Sequence, residues 1–303
     1  MRRELFVILS LICGISVSGC ISNTAPANTS STPKVEVHAH RGGAALRPEN
    51  SLAAFTNAVA DVGVDSIELD IHPTTDSVLI VNHDDTVNPS LCLNPDGSQI
   101  AHPPVISHSP STKIQKYDCG TLVGLPKDTS LPTLNKVIET VEALAPINGK
   151  PAQYDIHVKG NPKSITATQY ATLILDVVQA YGIHDRVHIM NSSWTFLQAV
   201  RALDSTISIY YLTSQIQPGD LDSAVEVNAT AVAPLGDTLD ATTVQTFHAQ
   251  GIQVIAWTIN ASYRWKSLMD IGVDGIITDN PVGLDELING NLTDQLTIGP
   301  AGD

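Results

Sequence analysis

From residue 34 onward, apolar positions recur in two alternating rhythms. Short runs of β-branched and aliphatic residues predict strands at 35–40, 66–71, 78–82, 154–158, 187–190, 207–212, 231–233, 254–259 and 275–278. Between them, apolar residues spaced three and four apart predict helices at 49–62, 134–144, 165–181, 195–203, 241–250 and 263–269. The first of these shows its spacing through Leu52, Phe55, Val59 and Val62. Repeated strand–helix alternation predicts a parallel sheet, either open or closed into a barrel. Nine strand candidates exceed the eight of a (β/α)8 barrel, so one of them is an excursion. The link from Ile71 to Val78 is too short for a crossover helix, so that unit is irregular.

Polar residues decide between the open and the closed sheet. No Gly-x-Gly-x-x-Gly follows the first strand, which weakens a dinucleotide-binding open sheet. His40, Asp70, His83, Lys159, Asn191 and Asn260 all fall at predicted strand C-terminal ends, the functional rim of a TIM barrel. Residues 89–127, rich in Pro, Ser, His and Gly, read as a loop-rich insertion on that rim. The expectation is an α/β TIM (β/α)8 barrel over 34–290, with a small insertion after the His83 strand and a tail at 291–303.

The chain has 303 residues, 43% of them hydrophobic, so a large core is within reach. A formal net charge of −15 argues against a nucleic-acid partner, which needs a basic surface. A small phosphodiester is not excluded, because one metal and one or two cations can hold it. Arg2 and Arg3 precede an apolar run from Leu5 to Val17, too short to span a bilayer comfortably, and Ser18-Gly19-Cys20 follows. This resembles a prokaryotic lipoprotein signal. It implies a signal peptide at 1–19, a lipidated Cys20, a Ser/Thr/Asn/Pro-rich tether up to residue 33, and an exported protein anchored on the extracytoplasmic face of a membrane. The competing reading is an ordinary signal peptide with a chance cysteine. Export would permit a disulfide between Cys92 and Cys119, and two free thiols remain an equal reading.

Residues two apart on a strand point the same way, so Glu68 with Asp70, His157 with Lys159, and His38 with His40 each face one barrel mouth. Two carboxylates on one buried strand repel unless a cation sits between them, and oxygen ligands suit Mg²⁺, Ca²⁺ or Mn²⁺. The alternative is a structural network with Arg41 and Lys159. His40 and His83 have the chemistry of an acid–base pair, since imidazole titrates near neutrality. Arg41 can fork onto phosphate oxygens and Lys159 can act as a point charge, with Glu49 beside Arg41 as its pairing partner. Trp257, near a strand end, can form an apolar wall for a glycerol or alkyl group.

The ordered set His40-Arg41-Gly42, Pro48-Glu49-Asn50-Ser51, Glu68-Leu69-Asp70, Thr75-Asp76 and His83-Asp84 resembles the glycerophosphodiester phosphodiesterases. So do Leu131-Pro132-Thr133-Leu134, Trp257-Thr258-Ile259-Asn260 and the stretch from Gly272 to Asp279. The resemblance runs from about His40 to Pro281. It implies a TIM barrel, one divalent ion on Glu68 and Asp70, acid–base work by His40 and His83, and cleavage of glycerophosphodiesters to an alcohol and sn-glycerol 3-phosphate. In one scheme for such enzymes the glycerol's own hydroxyl attacks first, and water then opens a cyclic phosphate.

One position departs from the pattern. Where the family reads Glu, apolar, Lys, this chain reads His157-Val158-Lys159. A histidine ligand is neutral, so a site that retains His157 as third ligand loses one negative charge and leans toward Mn²⁺ or Zn²⁺ over Mg²⁺ or Ca²⁺. Asp155, one step deeper on the same face and about 7 Å away, is a candidate to compensate. Otherwise metal affinity and activity fall. Two alternatives follow: a phospholipase-type phosphodiesterase acting on membrane lipids, and a weakened barrel that binds glycerophosphodiesters without turnover.

Overall fold

The structure, a computed structural model, describes residues 34–147, 149–160 and 165–291. The predicted signal, Cys20, its tether and the tail from residue 292 lie outside the described residues.

The strands are β1 (Glu36–Ala39), β2 (Ser66–Pro73), β3 (Leu79–Val81), β4 (Gln153–Val158), β5 (Val187–Asn191), β6 (Ser208–Thr213), β7 (Ala231–Pro234), β8 (Gln253–Ala256) and β9 (Gly275–Thr278). All but β3 run parallel in the order β1-β9-β8-β7-β6-β5-β4-β2. Pairing of His38 with Ser66 and Ala39 with Ile67 closes the ring. This is the expected eight-stranded barrel. The ninth strand is β3, which folds back antiparallel on the overhanging end of β2, with Ile71 opposite Val81 and His72 opposite Ile80. The short link noted in the sequence is its hairpin turn, where Ser77 takes a left-handed φ of 63° and Thr74 Oγ1 ties down Val78 and Asp76.

The helices are α1 (Leu52–Thr56), α2 (Ser111–Ile114), α3 (Leu134–Glu142), α4 (Ala167–Tyr181), α5 (Trp194–Leu203), α6 (Asp220–Glu226), α7 (Ala241–His248), α8 (Ser262–Ile271) and α9 (Pro281–Ile288). Side-chain caps start many of them: Ser51, Thr133, Thr166, Ser193, Asp240 and Asn280 each accept a backbone N–H of the first turn. The predicted helix at 49–62 begins only at Leu52, because Asn50 adopts a left-handed φ of 52°, and it finishes as a π turn over Asn57–Val62. The predicted strand at 254–259 ends at Ala256, where the chain turns toward the rim. α2, α6 and α9 are additional to the predicted elements; α6 carries too few apolar positions to announce itself. Among the described residues, no helix is long and apolar enough to cross a membrane.

Three apolar clusters hold the unit together. The largest lies between ring and helices, where outward residues such as Ile67, Leu69 and Ile156 meet Phe55, Ile138 and Ile174. Each such side chain contributes about 1.5–3 kcal/mol on burial. A second cluster fills the barrel interior on one side, through Met190, Tyr210, Leu212, Ala233, Ile255 and Ile277. The third belongs to the insertion. Val87, Ile100, Ile106 and Ile114 pack there around a Cys92–Cys119 disulfide, so the thiols left open by the sequence are paired. The insertion is therefore a stapled miniature core rather than a polar loop.

Candidate active site

Strand β2 is buried along its whole length, and its alternation sends Glu68 and Asp70 into the barrel. A cleft of about 240 Å³ opens above them at the C-terminal ends of the strands. It is lined by His40, Arg41, Glu68, Asp70, His83, His157, Lys159 and Trp257 with Met190, Leu212, Thr258 and Ile277. Eight of the sequence-predicted site residues thus converge on one cavity. Glu49, the ninth, stands behind it and accepts Arg41 Nη1 at 2.8 Å.

The loop after β1 builds one side. Its turn over His40–Gly42 puts Arg41 at a left-handed φ of 50°, which turns the Arg41 N–H onto Glu68 Oε2 at 2.8 Å. Gly42 follows at φ 83°, and a Cβ there would stand 2.7 Å from the Ala54 Cβ, so only glycine lets the turn pack on α1. Asn50, the other left-handed residue of this segment, grips Asp70 twice: Nδ2 donates to Asp70 Oδ2 at 3.0 Å, and Oδ1 accepts the Asp70 N–H at 3.3 Å. Backbone strain of this kind is stored where side chains must be aimed.

Strand β4 supplies the opposite side. His157 Nδ1 lies 3.0 Å from Asp70 Oδ1 and 3.8 Å from Glu68 Oε1. Lys159 Nζ is 3.8 Å from Asp70 Oδ1, and Arg41 Nε is 3.6 Å from Asp70 Oδ2. Burial next to Asp70 pushes the Glu68 carboxyl up to about 8, so without further positive charge it holds a proton at neutrality. Burial works the same way on Asp70, but His157, Lys159 and Asn50 outweigh it and hold that carboxyl below its usual range. Burial lowers His157, which keeps the imidazole neutral, the form that ligates metals. One donor atom from each of Glu68, Asp70 and His157 lies within 4.8 Å of the other two. A buried carboxylate kept from ionising by its neighbour, beside a neutral imidazole, is a donor set that a divalent cation fits.

Both candidate acid–base histidines use Nδ1 on a carboxylate. His40 Nδ1 meets Asp279 Oδ1 at 2.6 Å, and His83 Nδ1 meets Asp84 Oδ1 at 3.0 Å. Each ring is thereby oriented, leaving Nε2 for chemistry. Burial opposes a proton on His40, but Asp279 and Glu68 outweigh it and raise the ring above its ordinary value. Asn260 steadies Asp279, donating to its Oδ2 at 2.7 Å and accepting its N–H at 2.9 Å. Trp257 is fixed by its own donor, Nε1 to the Ala233 carbonyl at 2.7 Å, so its ring forms a rigid apolar wall with Met190, Leu212 and Ile277.

Three expectations are corrected. His38 does not share the mouth with His40. It lies below, fully buried, paired through Nδ1 with Asp155 Oδ2 at 2.5 Å. Asp155 is no compensating ligand, because its other oxygen is taken by His188 Nδ1 at 2.7 Å. Asn191 also stands apart from the cleft, with its amide spent on the Val158 carbonyl and the Ser193 N–H. Sequence reasoning missed Asn50 and Asp279 as site residues, although both stand in motifs already singled out, and it placed Asn260 on the rim without a role. It also missed the apolar wall, because Met190, Leu212 and Ile277 read as ordinary core.

A family model described as the glycerophosphoryl diester phosphodiesterase family matches residues 40–282. A glycerophosphodiester phosphodiesterase of Caldanaerobacter subterraneus subsp. tengcongensis is 27% identical over 258 residues, covering 84% of this chain and 98% of its own length. A lysophospholipase D of Mus musculus is 28% identical over 278 residues, covering 82% of this chain and 85% of its own. In fold, the chain resembles an Oleispira antarctica phosphodiesterase solved in complex with the product sn-glycerol-3-phosphate. There the TM-score is 0.73 and the identity 21%, over 84% of this chain and 96% of that one.

The barrel floor yields a prediction. Burial pulls His38 down, but Asp155 and Glu36 outweigh it and raise the ring to about 10. The folded state thus binds this proton more tightly than the unfolded chain. Its stabilisation is complete below about pH 6.5 and fades as pH rises through about 10. Asp155→Asn should cost about 3–5 kcal/mol, because it leaves a buried charge unpaired. Urea melts at pH 7 and pH 10 measure both effects, and metal titration calorimetry on the same variant should return an unchanged stoichiometry. A lost ion would make Asp155 a ligand.

Proposed function

Because the chain belongs to the glycerophosphoryl diester phosphodiesterase family, we propose that it hydrolyses glycerophosphodiesters to an alcohol and sn-glycerol 3-phosphate, using a divalent metal and two histidines. The observation that carries this reading is the pair of His–Asp contacts flanking one cleft, with two buried carboxylates and two cations between them. The Oleispira relative's complex with sn-glycerol-3-phosphate supports the product side.

In this reading Glu68, Asp70 and His157 hold the ion, which when bound supplies Lewis-acid polarisation and lowers the pKa of a hydroxyl. Arg41 and Lys159, both lining the cleft, neutralise the phosphate oxygens. His83 takes the proton of the attacking hydroxyl at Nε2 while Asp84 holds its Nδ1–H. His40 carries its proton through the Asp279 contact and gives it to the departing alkoxide as the bond from phosphorus to that oxygen breaks. Trp257, Met190, Leu212 and Ile277 exclude water along the other side of the cleft. That apolar side also suits a lysophospholipid, the substrate class in the mouse relative's name, as a second substrate.

The two histidine roles separate by leaving group. On glycerophosphocholine, His40→Ala and His83→Ala should each lower kcat by about 10²–10⁴-fold. On a glycerophospho-p-nitrophenyl ester, whose leaving group departs without a proton, His40→Ala should recover most of its activity and His83→Ala should not. The reverse pattern would exchange the roles. Lysophosphatidylcholine assayed alongside ranks the second reading against the first.

His157 sets the metal. A chelator should abolish turnover, and Mn²⁺, Co²⁺ or Zn²⁺ should restore it better than Mg²⁺ or Ca²⁺. His157→Glu should move both calorimetric affinity and activity toward Mg²⁺ and Ca²⁺. An unchanged metal profile would remove His157 from the ligand set. The same proposal includes export and anchoring through Cys20, supported by the apolar leader and by the disulfide, which forms in oxidising compartments. In a bacterial host, Cys20→Ala should shift the protein from the membrane fraction to the soluble one, and membrane retention would refute the lipid anchor.

A further inference from the structure

His83 stands on the segment that leads from β3 into the insertion. Its ring is aimed by Asp84 at 3.0 Å. An exposed carboxylate beside a half-exposed imidazole gains little from the pairing unless something fixes it in place. Asn88 does so: its Nδ2 donates to Asp84 Oδ2 at 2.7 Å, on the oxygen that His83 leaves free. Asn88 is itself anchored on two sides. Its Oδ1 accepts the Ser90 N–H at 2.8 Å, and its carbonyl accepts the Cys92 N–H at 2.9 Å. Cys92 is buried and bonded to Cys119, and the two strands of this loop are laced by Leu93 and Asp118, each donating its N–H to the other's carbonyl. From the barrel side, His72 Nε2 meets the His83 carbonyl at 3.2 Å, and the Asn82 amide donates to the Asp84 carbonyl at 2.7 Å.

We propose that Asn88 is a positioning residue for His83, acting through Asp84 and held in place by the Cys92–Cys119 staple. The inference rests on His83 taking part in turnover, as proposed above. It gives the disulfide a task beyond stabilising the insertion: breaking it frees the Asn88–Cys92 turn, and with it the carboxylate that orients the ring.

Asn88→Asp inverts the contact: it keeps the oxygen that caps Ser90 and replaces the N–H that Asp84 accepts with a carboxylate oxygen that repels it, while Asn88→Ala removes the contact without adding charge. With glycerophosphocholine, kcat should fall about tenfold to a hundredfold, the loss expected when a reacting group is misplaced by a fraction of an ångström. KM should stay within about twofold, since no group that touches phosphate has changed. Asn88→Ala should match it in kcat. Imidazole ¹⁵N spectra give a readout independent of activity: in the wild type the His83 ring should hold its proton on Nδ1, and in Asn88→Asp it should divide between the two nitrogens. Wild type whose disulfide has been reduced, verified by thiol titration, should lose kcat to a similar extent, and reduction should lower Asn88→Asp no further. A kcat within twofold of wild type in Asn88→Asp, with the His83 tautomer unchanged, overturns the positioning role. Unchanged kcat in fully reduced wild type overturns the anchoring by the disulfide. If His83→Ala itself retains full activity, the proposed function has failed, and not this inference alone.

Discussion

Glu68 and Asp70 stand side by side inside a barrel, and the rest of the site answers to that fact. Neither is more than 3% exposed, and water cannot screen them from one another. The protein responds unequally. Asp70 receives Asn50, His157, Lys159 and Arg41, and stays ionised. Glu68 receives one backbone N–H and is left the weaker acid. The left-handed turns at Arg41 and Asn50 are the backbone's share of this arrangement, since each turns a donor onto one of the two carboxylates. A residual need for positive charge at Glu68, in reach of a neutral imidazole, is what fits this place for a divalent cation.

The same constraint explains why the histidines are handled by other carboxylates. Were His40 to pair with Glu68, it would neutralise the very charge a cation needs. Instead Asp279 holds it from the turn just after β9, and Asn260 holds Asp279. His83 is kept on the segment between β3 and the insertion, with Asp84 as its own partner. Two His–Asp pairs on separate elements can approach a phosphodiester from two directions without competing for one proton site. The closed ring fixes the first pair. The stapled insertion, a smaller core of its own, fixes the second.

Much of this was legible in the chain. Period-two alternation on β2 and β4 was enough to bring Glu68, Asp70, His157 and Lys159 to one mouth, because strand geometry leaves a side chain only two directions. Strand–helix alternation left the sheet open or closed, polar residues at the strand ends favoured the ring, and a link too short for a helix marked the irregular unit that holds the surplus strand. What escaped has physical causes. Asn50 and Asp279 act from turns, where no periodicity predicts direction. α6 lacks an apolar stripe. Met190 and Ile277 line the cleft and the core at once, and their residue type carries no mark of which. His38 and His40 share a face, as predicted, but depth along that face separates a floor from a mouth, and alternation is silent about depth.

Depth is where the two carboxylate layers of this barrel part company. At the floor, Asp155 gives one oxygen to His38 and the other to His188, and Glu36 approaches the far nitrogen of His38 at 3.4 Å. The acid there is saturated by rings from neighbouring strands, and Gly275 leaves the space His38 needs, since a Cβ would come within 2.7 Å of its Nε2. One residue pair higher, the strand ends diverge into loops. Asp70 keeps Asn50 and His157 at 3.0 Å, but its two cations stand off: a lysine at 3.8 Å, and a guanidinium nitrogen at 3.6 Å with no hydrogen bond of its own. Cations at such distances are free to turn toward the cleft, which suits the proposed binding of an ion and a phosphate there. The layer that leaves its cations free to move faces the cleft, while the layer beneath it, where both oxygens of Asp155 are held by buried rings, serves the fold.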